Sequence, residues 1–186
     1  DWVGLDAIRV APRVVDSDSD VRVPARVTVE VDLRGDAMRG IHMSRLYLAL
    51  DAAVADPISP AMLDALLREV LDSHAELSSR ARVRFAFDQF LRRPALLSEL
   101  SGWRRYPVVV TATMEAGAIM IDVQFEVMYS STCPASTALA RQLVAEDFAQ
   151  AFPIGAPLDR AAALRWLAGE QGMRATPHSQ RSTAFI

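Results

Sequence analysis

Between residues 119 and 152 the hydrophobic period of the chain changes from two to about 3.6 within a few positions, the mark of a strand that runs almost directly into a helix. Ile119, Ile121, Val123, Phe125, Val127 and Tyr129 alternate with Asp122, Gln124 and Glu126, as in a half-buried strand. Leu139, Ala140, Leu143, Val144, Phe148 and Phe152 then recur at helical spacing. The junction reads Tyr129-Ser130-Ser131-Thr132-Cys133-Pro134-Ala135-Ser136 and holds the only cysteine. Proline is favoured at the first helical position, so Pro134 makes Cys133 the predicted N-cap, beside free N–H groups and the positive end of the helix dipole. Such a place favours a thiolate. A lone cysteine is otherwise commonly a small buried hydrophobe, and both readings stand at this point.

The remaining pattern predicts an α+β fold. Val27, Val29, Val31 and Leu33 alternate with Thr28, Glu30 and Asp32 as a strand, after a polar loop at Asp16–Asp20. Gly35 to Gly40 reads as a hairpin turn, and the expected return strand carries His42, Ser44, Leu46, Leu48 and Leu50. Ser59-Pro60 opens a helix striped by Met62, Leu63, Leu66, Leu67, Val70 and Leu71. Val83, Phe85 and Phe87 mark a third strand, and Tyr106–Met114 with Ala118–Tyr129 make a hairpin around Gly117. Asp159 caps a shorter helix expected to end near Gly172. The expected architecture is an antiparallel sheet with helices packed on one face. Val29, Val31, Phe85, Val123 and Phe125 should lie beneath helices near 60–75 and 135–151.

At 186 residues the chain is one domain, or one module of a two-module protein. A formal charge of −3 argues against a partner engaged through a basic field, so no nucleic acid is expected. One cysteine excludes an internal disulfide framework and suits a reducing cytoplasm. No apolar run is long enough to span a membrane, and Asp1-Trp2-Val3-Gly4 lacks the look of a secretory signal. The missing initiator Met suggests trimming at the front.

Three segments make the chain recognisable. Gly40-Ile41-His42-Met43-Ser44-Arg45, Tyr129-Ser130-Ser131-Thr132-Cys133-Pro134 and His178-Ser179-Gln180-Arg181-Ser182 stand in order along it. In these the sequence resembles GTP cyclohydrolases of the type IB family over almost its whole length. The resemblance implies a tunnelling fold, a divalent metal (zinc or manganese), and conversion of GTP and water to 7,8-dihydroneopterin triphosphate and formate, the committing step towards folate. It makes Cys133 a metal ligand and catalytic centre, and His178 the proton-shuttling histidine. It also implies a homo-oligomer, expected as a tetramer. Members commonly read Cys-Pro-Cys where this chain has Cys133-Pro134-Ala135, so the second sulfur is absent. Members also continue into a second, similar half that supplies further metal ligands and much of the guanine pocket. Residues 1–186 are therefore expected to be an N-terminal tunnelling-fold module.

The chemistry assigns candidate roles. Water must attack C8 of the purine, and an acid/base must move protons to the ring nitrogens. Cys133 suits a borderline divalent metal. His42, Ser44 and Arg45 are candidate donors to the triphosphate, with Ser130, Ser131, Gln180, Arg181 and Ser182 as further substrate-binding residues. Each has a plainer reading: His178 as a solvated loop residue 45 positions after the cysteine, His42 as a half-exposed strand residue, Arg45 as a surface charge. His74 reads as structural, and Arg92-Arg93 with Arg104-Arg105 as a solvated face. The alternative from another class is a non-catalytic tunnelling-fold module that binds or oligomerises. Retention of Cys133, His178, Arg181 and the Ser-Ser-Thr stretch together favours the enzyme.

Overall fold

Residues 1–15, 19–33, 41–173 and 176–186 are described by a computed structural model, in two compact units: Asp1–Glu126 with Phe185–Ile186, and Val127–Ala184. Most of the Asp16–Asp20 loop and the Gly35–Gly40 turn lie outside the described residues.

In the first unit, β1 (Trp2–Val10), β4 (Ala25–Asp32), β5 (Arg80–Pro94), β6 (Ser101–Glu115) and the first part of β7 (Ala118–Thr132) pair antiparallel in that order. β2 (Arg13–Val15) and β3 (Asp20–Arg22) form a separate ribbon. The register lines up three rows on one face: Val27, Phe85 and Val110; Val29, Val83 and Ala112; Val31, Ala81 and Met114. Over these rows pack Leu46 and Leu50 of α1 (Met43–Ala53) and Leu63, Leu66, Leu67 and Val70 of α2 (Pro60–Asp72). Each fully buried side chain of this size contributes about 1.5–3 kcal/mol relative to exposure. The other face carries charge, as period-two alternation requires: Arg82 pairs with Glu30 at 2.6 Å and its guanidinium lies 4.5 Å from the centre of the Trp2 ring.

Local chemistry explains the element ends. Ser59 Oγ accepts from the Met62 N–H at 3.2 Å with Pro60 in the first helical turn, the predicted start of α2. The β6–β7 turn places Ala116 at φ 50° and Gly117 at φ 78°, the left-handed pair that matches the twist of a tight hairpin. Asp32 ends β4 and accepts from the Arg80 N–H at 2.6 Å, the Ser79 N–H at 2.7 Å, the Ser79 hydroxyl and the Arg80 guanidinium.

Two expectations are corrected. Residues 43–53 form a helix, not a return strand. Leu46, Leu48 and Leu50 fit a period of two, but Leu46 and Leu50 alone also fit i, i+4, and Leu48 is 65% exposed while the other two are fully buried. In that core the partner of α2 is therefore α1. Val123 and Phe125 are also not covered: they are 55% and 37% exposed, and the core beneath α1 and α2 takes in Ile119 and Ile121 of β7 but neither of these two.

The second unit holds the end of β7, α3 (Pro134–Ala151), α4 (Arg160–Ala168), a short 3-10 turn (Glu170–Met173) and most of β8 (Ser179–Phe185). Phe148 and Phe152 of the α3 end, with ring centroids 4.7 Å apart, meet Trp166 of α4 at 5.4 and 6.3 Å. Asp159 caps α4 by accepting from the Ala161 N–H at 2.9 Å, and Gly169 ends that helix three residues before the expected stop. The α3 stripe is not a buried seam: Ala140 alone is buried and Leu139 is 56% exposed.

Leu46→Ala should cost about 2–5 kcal/mol and Leu48→Ala less than about 0.5 kcal/mol in urea unfolding, since one empties a core site and the other faces water. Equal costs would restore the strand. Burial disfavours the Asp32 charge, but the hydrogen bonds from Arg80 and Ser79 outweigh it and hold the carboxyl below its ordinary range. Its stabilisation is present above the unfolded carboxyl value, about pH 4, and is lost as pH falls through the lower folded value. Asp32→Asn should thus lower stability by about 1–3 kcal/mol at pH 7, with a deficit that shrinks on acidification below pH 4. A deficit independent of pH would exclude the carboxylate as its source.

Candidate functional site

The strand-to-helix junction takes the predicted form. Cys133 is the N-cap of α3, in extended conformation at φ −60° and ψ 122°, with Pro134 in the first turn. Its carbonyl accepts from the Thr137 N–H at 2.9 Å and the Thr137 hydroxyl at 3.0 Å, which fixes the backbone. Its side chain makes no cap hydrogen bond and is half-buried, so the sulfur is free to meet another group.

Two bonds draw the second and third motifs to this helix start. Ser136 Oγ, three residues into the helix, accepts from the His178 N–H at 3.2 Å. The Ser131 and Ser182 hydroxyls lie 3.2 Å apart, joining β7 to β8 just before Cys133. Cys133 and His178, 45 residues apart in sequence, thereby share one small region of the second unit. His178, Gln180 and Arg181 are exposed there, as is Ser130, while Ser131 and Ser182 are half-buried. A thiol, an imidazole, a guanidinium and several hydroxyls beside helix N–H groups can bind an anionic, nitrogen-rich ligand and exchange protons with it. Ser136 is missing from the sequence-derived set. The signal was its place at N3 of a helix whose cap side chain makes no bond, a position where a hydroxyl is free for a partner from elsewhere.

His42, Ser44 and Arg45 belong to the first unit and occupy the start of α1, with His42 as N-cap and all three exposed. The helix that replaces the expected strand gathers them into one turn. Arg45 Nη1 donates to the Ser73 carbonyl at 2.8 Å, at the end of α2, leaving its other N–H groups available.

Cys133 is the one thiol of the chain and so its one thiolate donor for a metal. Among the described residues no three His, Cys, Asp or Glu side chains cluster to hold one. Among the described residues no helix is long and apolar enough to cross a membrane.

The sequence profile described as type I GTP cyclohydrolase folE2 matches residues 1–186. The chain is 47% identical over 187 aligned residues to the GTP cyclohydrolase FolE2 of Xanthomonas campestris pv. campestris, covering 100% of this chain and 60% of that protein. It is also 47% identical to the FolE2 of Azotobacter vinelandii, covering 63% of it. The chain thus spans less than two thirds of these relatives. Among solved structures, a hyper-thermostable AgUricase mutant superposes with a TM-score of 0.50 at 9% identity, covering 100% of this chain and 91% of that one. That likeness bears on fold alone, and the fold is the tunnelling fold.

Ser136→Ala should speed amide hydrogen exchange at His178 about fivefold to tenfold, the loss of one hydrogen bond, with α3 otherwise protected as before. Unchanged exchange at His178 would show that the serine does not hold that segment.

Proposed function

The chain belongs to the type I GTP cyclohydrolase folE2 family, and we propose that the protein it forms part of converts GTP and water to 7,8-dihydroneopterin triphosphate and formate, the first step towards folate. The observation that carries this reading is the pair of bonds, Ser136 to His178 and Ser131 to Ser182, that draws two of the family's motifs to one helix start.

The residues divide the work. His178 carries protons to and from the purine nitrogens as the imidazole ring opens and formate leaves. Exposed Arg181 and Gln180, with Ser130, Ser131 and Ser182, offer donors to substrate oxygens at the same helix start. His42, Ser44 and Arg45 offer a second set of donors to the triphosphate from the first turn of α1. Cys133 supplies one ligand to a divalent metal whose other ligands come from outside the described residues. When bound, that metal provides Lewis acidity. The protein is read as a cytoplasmic homo-oligomer, a tetramer.

A GTP-to-neopterin fluorescence assay on the full-length protein, with metal analysis, tests the assignment. Cys133→Ala should abolish turnover and weaken metal retention while unfolding within about 1 kcal/mol of the parent, since no cap bond is lost. His178→Ala should depress turnover by about 10²–10⁴-fold with metal retained. Near-normal turnover in Cys133→Ala would defeat the mechanism, and absence of turnover in the parent would defeat the function.

A further inference from the structure

His74 reads from sequence as structural, yet one of its ring nitrogens does nothing structural. It follows the last turn of α2 and is 2% exposed. Its Nδ1 lies 3.0 Å from the Val70 carbonyl oxygen and 2.9 Å from Ser73 Oγ, whose hydroxyl donates to that same carbonyl at 3.0 Å. A carbonyl only accepts, so Nδ1 carries the proton and donates, and Nε2 of the neutral ring keeps a lone pair. That lone pair is buried and, among the described residues, has no partner. Buried acceptors are normally satisfied, and an unmet one invites a donor that is present part of the time.

The neighbouring polar ring is His42, N-cap of α1. Its centroid is 6.3 Å from that of His74, with the planes 44° apart. With about 1.2 Å from centroid to nitrogen in each ring, the ring nitrogens stand at least about 4 Å apart, so a direct hydrogen bond needs a movement of at least about 1 Å. The Arg45 guanidinium, bonded to the Ser73 carbonyl, already ties the first turn of α1 to the turn bearing His74.

We propose that His74 is a positioning residue for His42 in nucleotide binding. An imidazolium has two N–H donors and no acceptor, so it is held firmly only between two acceptors. With the triphosphate bound, His42 takes up a second proton from solvent. It directs one N–H to a phosphate oxygen and the other to the lone pair of His74 Nε2. The proposal rests on the reading of His42, Ser44 and Arg45 as triphosphate donors.

The test is steady-state GTP turnover by the full-length protein. In His74→Asn the amide nitrogen replaces Nδ1 as donor to Val70, while the acceptor is lost. KM for GTP should rise about tenfold with kcat within about twofold and thermal unfolding little changed. In His74→Gln the amide oxygen reaches the Nε2 position, and KM should return to within about threefold of the parent. An unchanged KM in His74→Asn, or a KM in His74→Gln as high as in His74→Asn, overturns the positioning role. His42→Ala separates the two ideas. If it leaves KM unchanged, the triphosphate reading itself falls and takes the proposal with it. If it raises KM while His74→Asn does not, only the link to His74 falls. Should the Asn variant not fold, imidazole ¹⁵N shifts of the parent protein titrated with inorganic triphosphate decide. The His74 Nε2 signal should move on saturation, and a signal that stays in place overturns the proposal.

Discussion

Burial of one face of β4, β5 and β6 is the constraint on which the first unit depends. Its three rows, mostly valine and alanine with Phe85 and Met114, leave an apolar surface that α1 and α2 cover. Leu46 and Leu50 reach that surface from α1, and Leu63, Leu67 and Val70 from α2. Because both helices are pinned by the same face, their ends are pinned to each other. Arg45 therefore meets the Ser73 carbonyl, and His42 lies near His74. The candidate donors at the start of α1 are placed by leucines buried in the core.

Much of this was legible in the sequence, and the failures have physical causes. The Ser59-Pro60 start and stripe of α2 were clear because cap, proline and periodicity agree. The β6–β7 hairpin was clear because a left-handed turn needs a residue such as Gly117. Helix α1 was misread because Leu46, Leu48 and Leu50 satisfy two periods at once, and only tertiary burial decides between them. Val123 and Phe125 keep a perfect alternation with no helix of the first unit above them, since alternation marks a face and not what covers it.

The site divided along the same line. Cys133 as N-cap followed from Pro134, a local signal. Its approach to His178 did not, because Ser136 and Ser182 act across tens of residues and a serine carries little pattern of its own. Here the family resemblance contributed what periodicity could not. Its limits are equally physical: among the described residues Cys133 has no company sufficient for a metal.

The central claim is that the start of α3 lies in the nucleotide site. Site-resolved alkylation of Cys133 in the metal-stripped full-length protein tests it most directly, because the sulfur is half-buried and has no cap bond to occupy it. Saturating GTP should slow modification of Cys133 by at least about tenfold while an exposed control thiol is unaffected, as expected for a nucleophile covered by ligand. Equal rates with and without GTP, in protein that turns GTP over once the metal is restored, would contradict the account.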